Sequence, residues 1–166
     1  MANKNFPHPF GDMVKKYAAF RRKLSIEVSN IAVNEFKHNF VIGGFRGDSG
    51  VEFWKPRKER KKSTRAILVK SGRLKRGLRA APTLNMARVI NSVPYALIHN
   101  EGGTIKKTVS VRSFLRKTKK GKKTTVKPYS RRMNLTLPAR PFMITTKPLL
   151  NMIESHVFKE LDNLLK

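Results

Sequence analysis

From Asp12 onward, apolar residues recur at steps of three and four: Met13, Tyr17, Phe20, Leu24, Val28 and Ile31, continued by Ala32, Phe36 and Phe40. That period marks one face of a helix, and Asp12 can cap its start, so the pattern predicts a long helix ending near Gly43-Gly44. GGFRGDSG then reads as a turn, and VEFWKPRKERKKSTR, 51–65, begins with alternating apolar positions and ends as a solvated basic loop. AILVKSGRLKRGLRA, 66–80, offers a short apolar run, Ser71 as an N-cap, and Leu74 with Leu78 on one helical face. NMARVINSV, 85–93, reads as a strand. PYALIHNEGG, 94–103, predicts a helix of one to two turns, with Ser92 as cap and Pro94 in the first turn. Tyr95, Ala96 and Ile98 would pack on the sheet, and Gly102 or Gly103 would supply a left-handed stop.

TIKKTVSVRSFL, 104–115, alternates like a strand and hands over to RKTKKGKKTTVKPYSRR, a polar cationic loop. In LTLPARPFMIT, 135–145, two prolines flank Ala139-Arg140, so its first half is extended and it cannot be a central strand throughout. From Pro148 to Leu165 the residues Leu149, Leu150, Ile153, Val157, Leu161 and Leu164 predict a closing helix. The expected architecture is α+β: a small, mostly antiparallel sheet packed by a long N-terminal helix and a C-terminal helix, with a long basic loop. A length of 166 residues suits one domain, with an N-terminal arm over 1–10 and a basic strand-and-loop excursion over 106–133.

Charge sharpens this picture. The chain carries 37 Lys+Arg against 10 Asp+Glu, a formal net charge of +27, so an anionic partner is expected, either a polyanion or an acidic protein surface. Acids are absent between Glu59 and Glu101 and again between Glu101 and Glu154, which concentrates positive charge in the middle of the chain. Within the excursion, Lys106, Lys107, Arg112, Arg116, Lys117, Lys119, Lys120, Lys122, Lys123, Lys127, Arg131 and Arg132 are the expected partner or DNA contacts. Such a segment repels itself, and is expected to be extended in the free subunit and to order on contact.

Candidate chemistry is sparse. There are no cysteines, and His8, His38, His99 and His156 lack the close spacing of a zinc site, so no metal and no cofactor is expected. No carboxylate cluster offers ligands for catalytic Mg²⁺, and neither GxGxxG nor GxxxxGK[ST] occurs. His99 and Glu101, two residues apart on a helix, point to different faces. The sequence therefore predicts no enzyme. The RGD triplet at 46–48 reads as a glycine loop rather than an integrin ligand. No run of about 18 apolar residues suits a membrane span, and MANKNFPHPF lacks the apolar core of a secretory signal, which points to a soluble, intracellularly made protein. Composition alone also suits a basic nucleic-acid-binding protein of ribosomal or nucleoid type, with Phe114 and Tyr129 lying inside the basic region.

Several landmarks follow one another in order: NEFKHNF at the end of the long helix, FWKPRKERK, ILVKSGRLKRGL, VPYALIHNEGGTI, and LPARPFM before the last helix. The ordered set "sGrL", "YAxxHxxGG" and "PARPF" resembles the phage virion morphogenesis family, the Mu-type tail completion proteins of tailed bacteriophages. The excursion over 106–133 is more basic than this family's pattern, and Glu101 stands where an aromatic is more usual. The resemblance implies a non-enzymatic protein of the virion neck or tail end, acting in head–tail joining or tail completion. It would be assembled in the host cytoplasm as a ring around the DNA channel, against connector and tail-tube proteins. It also implies scaffold roles: Gly72, Gly102 and Gly103 for tight backbone, Leu74 within the "sGrL" motif, and Tyr95 and His99 as anchors of the short helix. Pro138, Arg140, Pro141 and Phe142 would form a rigid turn positioning the last helix. Arg140, between two prolines, is placed to hold carbonyls or a carboxylate in fixed geometry.

Overall fold

A computed structural model describes residues 9–57, 65–119 and 121–165. The chain is α+β, and the long N-terminal helix α1 runs Pro9–Ile42. At 1.5 Å per residue α1 is about 51 Å long. Only its second half is sunk into the protein: Val33, Phe36 and Phe40 are buried, whereas Met13, Val14 and Tyr17 are exposed. The apolar stripe is therefore continuous in sequence but covered only where other elements reach it. Asp12 lies inside the first turn rather than capping it, because the helix already begins at Pro9.

Next comes a hairpin of β1 (Gly44–Gly47) and β2 (Gly50–Phe53), followed by the one-turn helix α2 (Arg73–Arg76) and the short antiparallel pair β3 (Leu78–Ala80) and β4 (Val89–Asn91). Helix α3 (Ala96–Glu101) leads into β5 (Gly103–Val111). The chain then forms β6 (Phe114–Lys117), β7 (Lys123–Val126) and β8 (Tyr129–Leu137), and ends in α4 (Lys147–Leu165).

Among the described residues the expected small sheet takes the form of four separate two-stranded antiparallel ladders, β1-β2, β3-β4, β5-β8 and β6-β7. The largest difference from the sequence reading lies at 106–133. Instead of a strand followed by a long basic loop, the segment is a double hairpin: β5 pairs with β8 from Gly103↔Leu137 to Val111↔Tyr129, and β6 pairs with β7 beyond them. Threonines, valines and the alternating apolar residues supply the strand preference that the lysines obscure.

Smaller corrections have local causes. Leu78 is a strand residue rather than a helical partner of Leu74, because α2 stops at Arg76; both side chains are buried all the same. The residue preceding α2 is Gly72 at φ 70°, while Ser71 Oγ accepts the Arg73 N–H at 3.4 Å. The strand expected over 85–93 shrinks to β4, preceded by a single Thr83↔Met86 bridge. Pro94 and Ser92 lie before α3, whose N-cap is Tyr95 without a side-chain cap bond.

The core gathers Phe36, Phe40, Trp54, Leu74, Leu78, Val93, Ala96, Phe142 and Leu149 between α1, the short elements and the start of α4. Three aromatics form its centre, with Phe40 edge-on to Trp54 at 5.6 Å and tilted on Phe142 at 5.1 Å. Helices α1 and α4 run antiparallel, since Lys23 meets Glu160 and Glu27 meets His156. The RGD triplet is engaged internally. Arg46 reaches Glu35 and His38 on α1, while Asp48 Oδ1 accepts the Lys147 N–H at 3.3 Å where α4 begins. No helix among the described residues is long and apolar enough to cross a membrane.

Candidate interaction surfaces

The residues of the ordered motifs converge on one place. Arg140 N–H donates to the His99 carbonyl at 3.0 Å, which joins the PARPF segment to α3. Asn100 Oδ1 accepts the backbone N–H groups of Phe142 at 3.0 Å and Met143 at 2.9 Å. Trp54 Nε1–H donates to the Pro141 carbonyl at 2.9 Å, and Asn39 Nδ2–H donates to that of Phe142 at 3.1 Å. The segment between β8 and α4 has no regular ladder of its own, so these side chains satisfy its buried and part-buried backbone groups. Phe142 is fully buried, and Leu149 in the first turn of α4 is buried in the same core. Pro138 and Pro141 are half-buried.

The glycines act through backbone shape. Gly102 has φ 76°, and a Cβ there would stand 2.6 Å from the Ala139 nitrogen and 3.0 Å from the Leu137 carbonyl oxygen. It lets the end of α3 lie against the start of the PARPF segment. Gly103 is at φ 145°, and a Cβ there would make only ordinary contact, with Ile98 at 3.8 Å.

Tyr95 does not pack into the core as the sequence suggested: it is 39% exposed and stands edge-on to His99 at 5.8 Å. His99, Tyr95, Leu74 and Arg140 instead line a cavity of about 590 Å³, whose remaining wall carries Arg57, Arg65, Leu68, Lys70, Ser71 and Arg73. Arg140 is only 7% exposed; its Nε–H donates to the Lys55 carbonyl at 3.0 Å and its Nη2–H to that of Pro56 at 3.4 Å. Burial, with the Arg57 charge nearby, pulls its pKa down from the usual guanidinium range. His99 is held below its ordinary value, chiefly by burial and then by the Arg140 charge, and its shielded Nδ1 has no hydrogen-bond partner among the described residues.

The second surface is the double hairpin. Residues facing each other across an antiparallel ladder share a face. One face of β5-β8 therefore carries Ile105, Val109, Val111, Tyr129, Met133, Leu135 and Leu137, interrupted by Lys107 and Arg131. The other is polar, with Lys106, Thr108, Arg132 and Asn134, and a Thr104–Thr136 hydroxyl contact at 3.1 Å. Arg112 and Lys127 sit between the two ladders. Arg116, Lys117 and Lys123 belong to β6-β7, and Lys119 and Lys122 lie in its turn. All of these cations are exposed, and none has an acidic partner among the described residues. Lys120, and the basic stretch 58–64, lie outside the described residues.

A third cluster escaped the sequence because its members are far apart: Glu27, His156 and Glu160 offer ligand atoms within 4.8 Å of one another between α1 and α4. Lys23 Nζ lies 2.5 Å from Glu160 and 3.7 Å from Glu27, so a cation of the chain itself already stands there. Its hydrogen bond lowers the Glu160 pKa and raises its own. The cluster reads as a charged seam between two helices.

Sequence comparison agrees with the arrangement of the motifs. The chain belongs to the phage virion morphogenesis family, whose model matches residues 49–162. It is accordingly a bacteriophage protein with a structural role in virion morphogenesis, and its partners are other virion proteins. The match begins after β1 and takes in the cavity, the double hairpin and nearly all of α4. No curated protein and no solved structure matches the chain.

Proposed function

We propose that this chain is a subunit of a homomeric ring at the virion neck or tail end, acting without catalysis in head–tail joining or tail completion, and assembled in the host cytoplasm. The observation that carries this reading is the two-faced arm formed by β5 and β8. Those strands contact each other far more than they contact the rest of the protein. A two-stranded ribbon is marginal by itself, and an apolar face left in water is a surface awaiting cover. A ring supplies both needs at once. A neighbouring copy covers the Ile105–Leu135 face, while the lysines and arginines of the polar face and tip meet an acidic neighbouring ring or DNA in the channel.

The alternative, a nucleic-acid-binding protein of ribosomal or nucleoid type, is favoured by Phe114 and Tyr129, which are 44% and 47% exposed on the same arm and are available for base stacking. Light scattering of the purified chain and its copy number in purified virions separate the two. The ring reading expects a fixed copy number that survives high salt, with ring density in a neck reconstruction. Loss from particles at high salt together with RNA or DNA supports the alternative and overturns the ring.

A further inference from the structure

We propose that the Arg140–His99 cavity is a receptor for a carboxylate presented by a different, acidic virion protein. The starting point is a buried charge without a counter-ion. Arg140 is more than nine-tenths buried, yet among the described residues no Asp or Glu pairs with it. A guanidinium has five N–H donors, and Arg140 spends one on Lys55 and one on Pro56. Among the described residues its Nη1 group has no acceptor, and the side chain lines the cavity. A buried cation left so is costly, and a carboxylate gripped by the planar fork is the partner that best repays the cost.

The walls narrow the ligand further. Lys70 and Arg73 are exposed and bring positive charge to the same cavity, while Leu74 and Tyr95 give it an apolar side. The His99 ring lines the same wall, so it reports on an occupant although its Nδ1 is shielded. The space, about 590 Å³, accommodates an acidic residue with apolar neighbours. A duplex phosphate is a poor fit, because it is strung between sugars along a convex rail and cannot be drawn down to a buried guanidinium. A second copy of the chain is a poor source, since it offers only 10 Asp+Glu against 37 Lys+Arg. The occupant is therefore an Asp or Glu side chain, or a chain-terminal carboxylate, on another protein. This inference does not depend on the ring, because the isolated subunit tests it.

The test titrates the full chain, followed by NMR at the Arg140 Nε–H and the His99 ring. The probes are acetyl-Leu-Glu-Leu-amide, its Gln counterpart, acetyl-Leu-Ala-Leu with a free terminus, inorganic phosphate and a short DNA duplex. The expected result is saturable shifts at both residues with a carboxylate peptide, at a Kd of about 1 mM or below, and none with the Gln peptide. Whichever carboxylate peptide binds more tightly identifies the source as side chain or chain end. Arg73→Ala, at the exposed wall, should weaken binding roughly tenfold with the melting temperature unchanged. Arg140→Lys, which keeps charge but loses the fork, should weaken it further if it folds. Equal shifts with the Gln peptide, stronger shifts at these two residues with phosphate or duplex, no shift at about 10 mM peptide, or indifference to Arg73→Ala each overturn the proposal.

Discussion

The backbone N–H of Arg140 donates to the carbonyl of His99 at 3.0 Å, so the two segments that carry the chain's least ordinary residues are fastened main chain to main chain. Side-chain variation at either position leaves that link in place. What holds the joint around it is a set of single polar side chains, and each can be removed separately.

Asn100 is the most exacting of these. Its one oxygen serves two N–H groups, those of Phe142 and Met143, at 3.0 and 2.9 Å. Asn100→Ala strands both donors in a part-buried site and should cost about 2–4 kcal/mol, a fall in Tm of roughly 5–15 °C by thermal denaturation. Asn100→Asp keeps an acceptor for both and should lose less than half as much. Equal losses in the two variants would show that the shape of Asn100, rather than its oxygen, holds the segment.

Gly102 and Gly103 should differ although they are adjacent. Valine at Gly102 must take φ 76° and place Cβ 2.6 Å from the Ala139 nitrogen, so the backbone has to move and soluble protein should be lost. At Gly103 the Cβ of valine meets no atom closer than 3.8 Å, so the main burden is the unfavourable φ of 145°, a cost of about 1–3 kcal/mol. Soluble expression and Tm of the two single variants decide the matter; a Gly102→Val protein melting like the parent would exclude the close approach to Ala139.

The two long helices were legible because their signal is local. The three-and-four spacing from Met13 to Phe40 marks α1, and the spacing from Leu149 to Leu164 marks α4. What local pattern could not show is how far α1 is covered, since that depends on which elements reach Met13 and Val14. The double hairpin was hidden for a different reason. Its ladder joins Gly103 to Leu137 across the whole basic segment, and the lysines, threonines and Gly121 of its tip have the composition of a loop. The apolar alternation of Ile105, Val109 and Val111 was visible, but its match to Tyr129, Met133 and Leu135 is a matter of register. Within the motif joint, Arg140 stood out by its proline flanks, whereas Asn39, Trp54 and Asn100 did not. Trp54 had the one usable signal, as the only tryptophan in the chain.

His99 should make stability fall as the solution is acidified. In the unfolded chain it takes up a proton near its ordinary pKa of 6.5; in the fold, burial and the Arg140 charge postpone that uptake to lower pH. Below about 6.5 the unfolded state therefore binds more protons, and the free energy of unfolding decreases until the folded pKa is passed. Glu160, also depressed, acts in a separate window below its ordinary 4.5, where protonation releases Lys23. Denaturant melts at pH 7.5 and 5.5 should show the decrease in the parent and a flatter profile in His99→Gln. An unchanged slope in that variant would assign the acid sensitivity elsewhere.

The arm gives the sharpest division between folding and assembly. Lys117 faces Lys123 across the tip ladder, a like-charge pair that is worth nothing to the fold and costs it a few tenths of a kcal/mol. Replacing Lys119, Lys122 and Lys123 by glutamate should therefore leave circular dichroism and Tm at or slightly above parental values. If the tip meets an acidic ring or DNA, those charges become repulsive at the contact, and infectious particles should fail to form while filled heads and free tails accumulate. The apolar face is tested separately by Leu135→Asp, placed beside Ile105 and 45% exposed in the single chain. That variant should remain folded as a subunit but stop at the monomer in light scattering, since a carboxylate there would have to be buried against the next copy. Normal titre from the tip variant would reduce the tip to a solvated surface, and normal rings from Leu135→Asp would remove the apolar face from the interface.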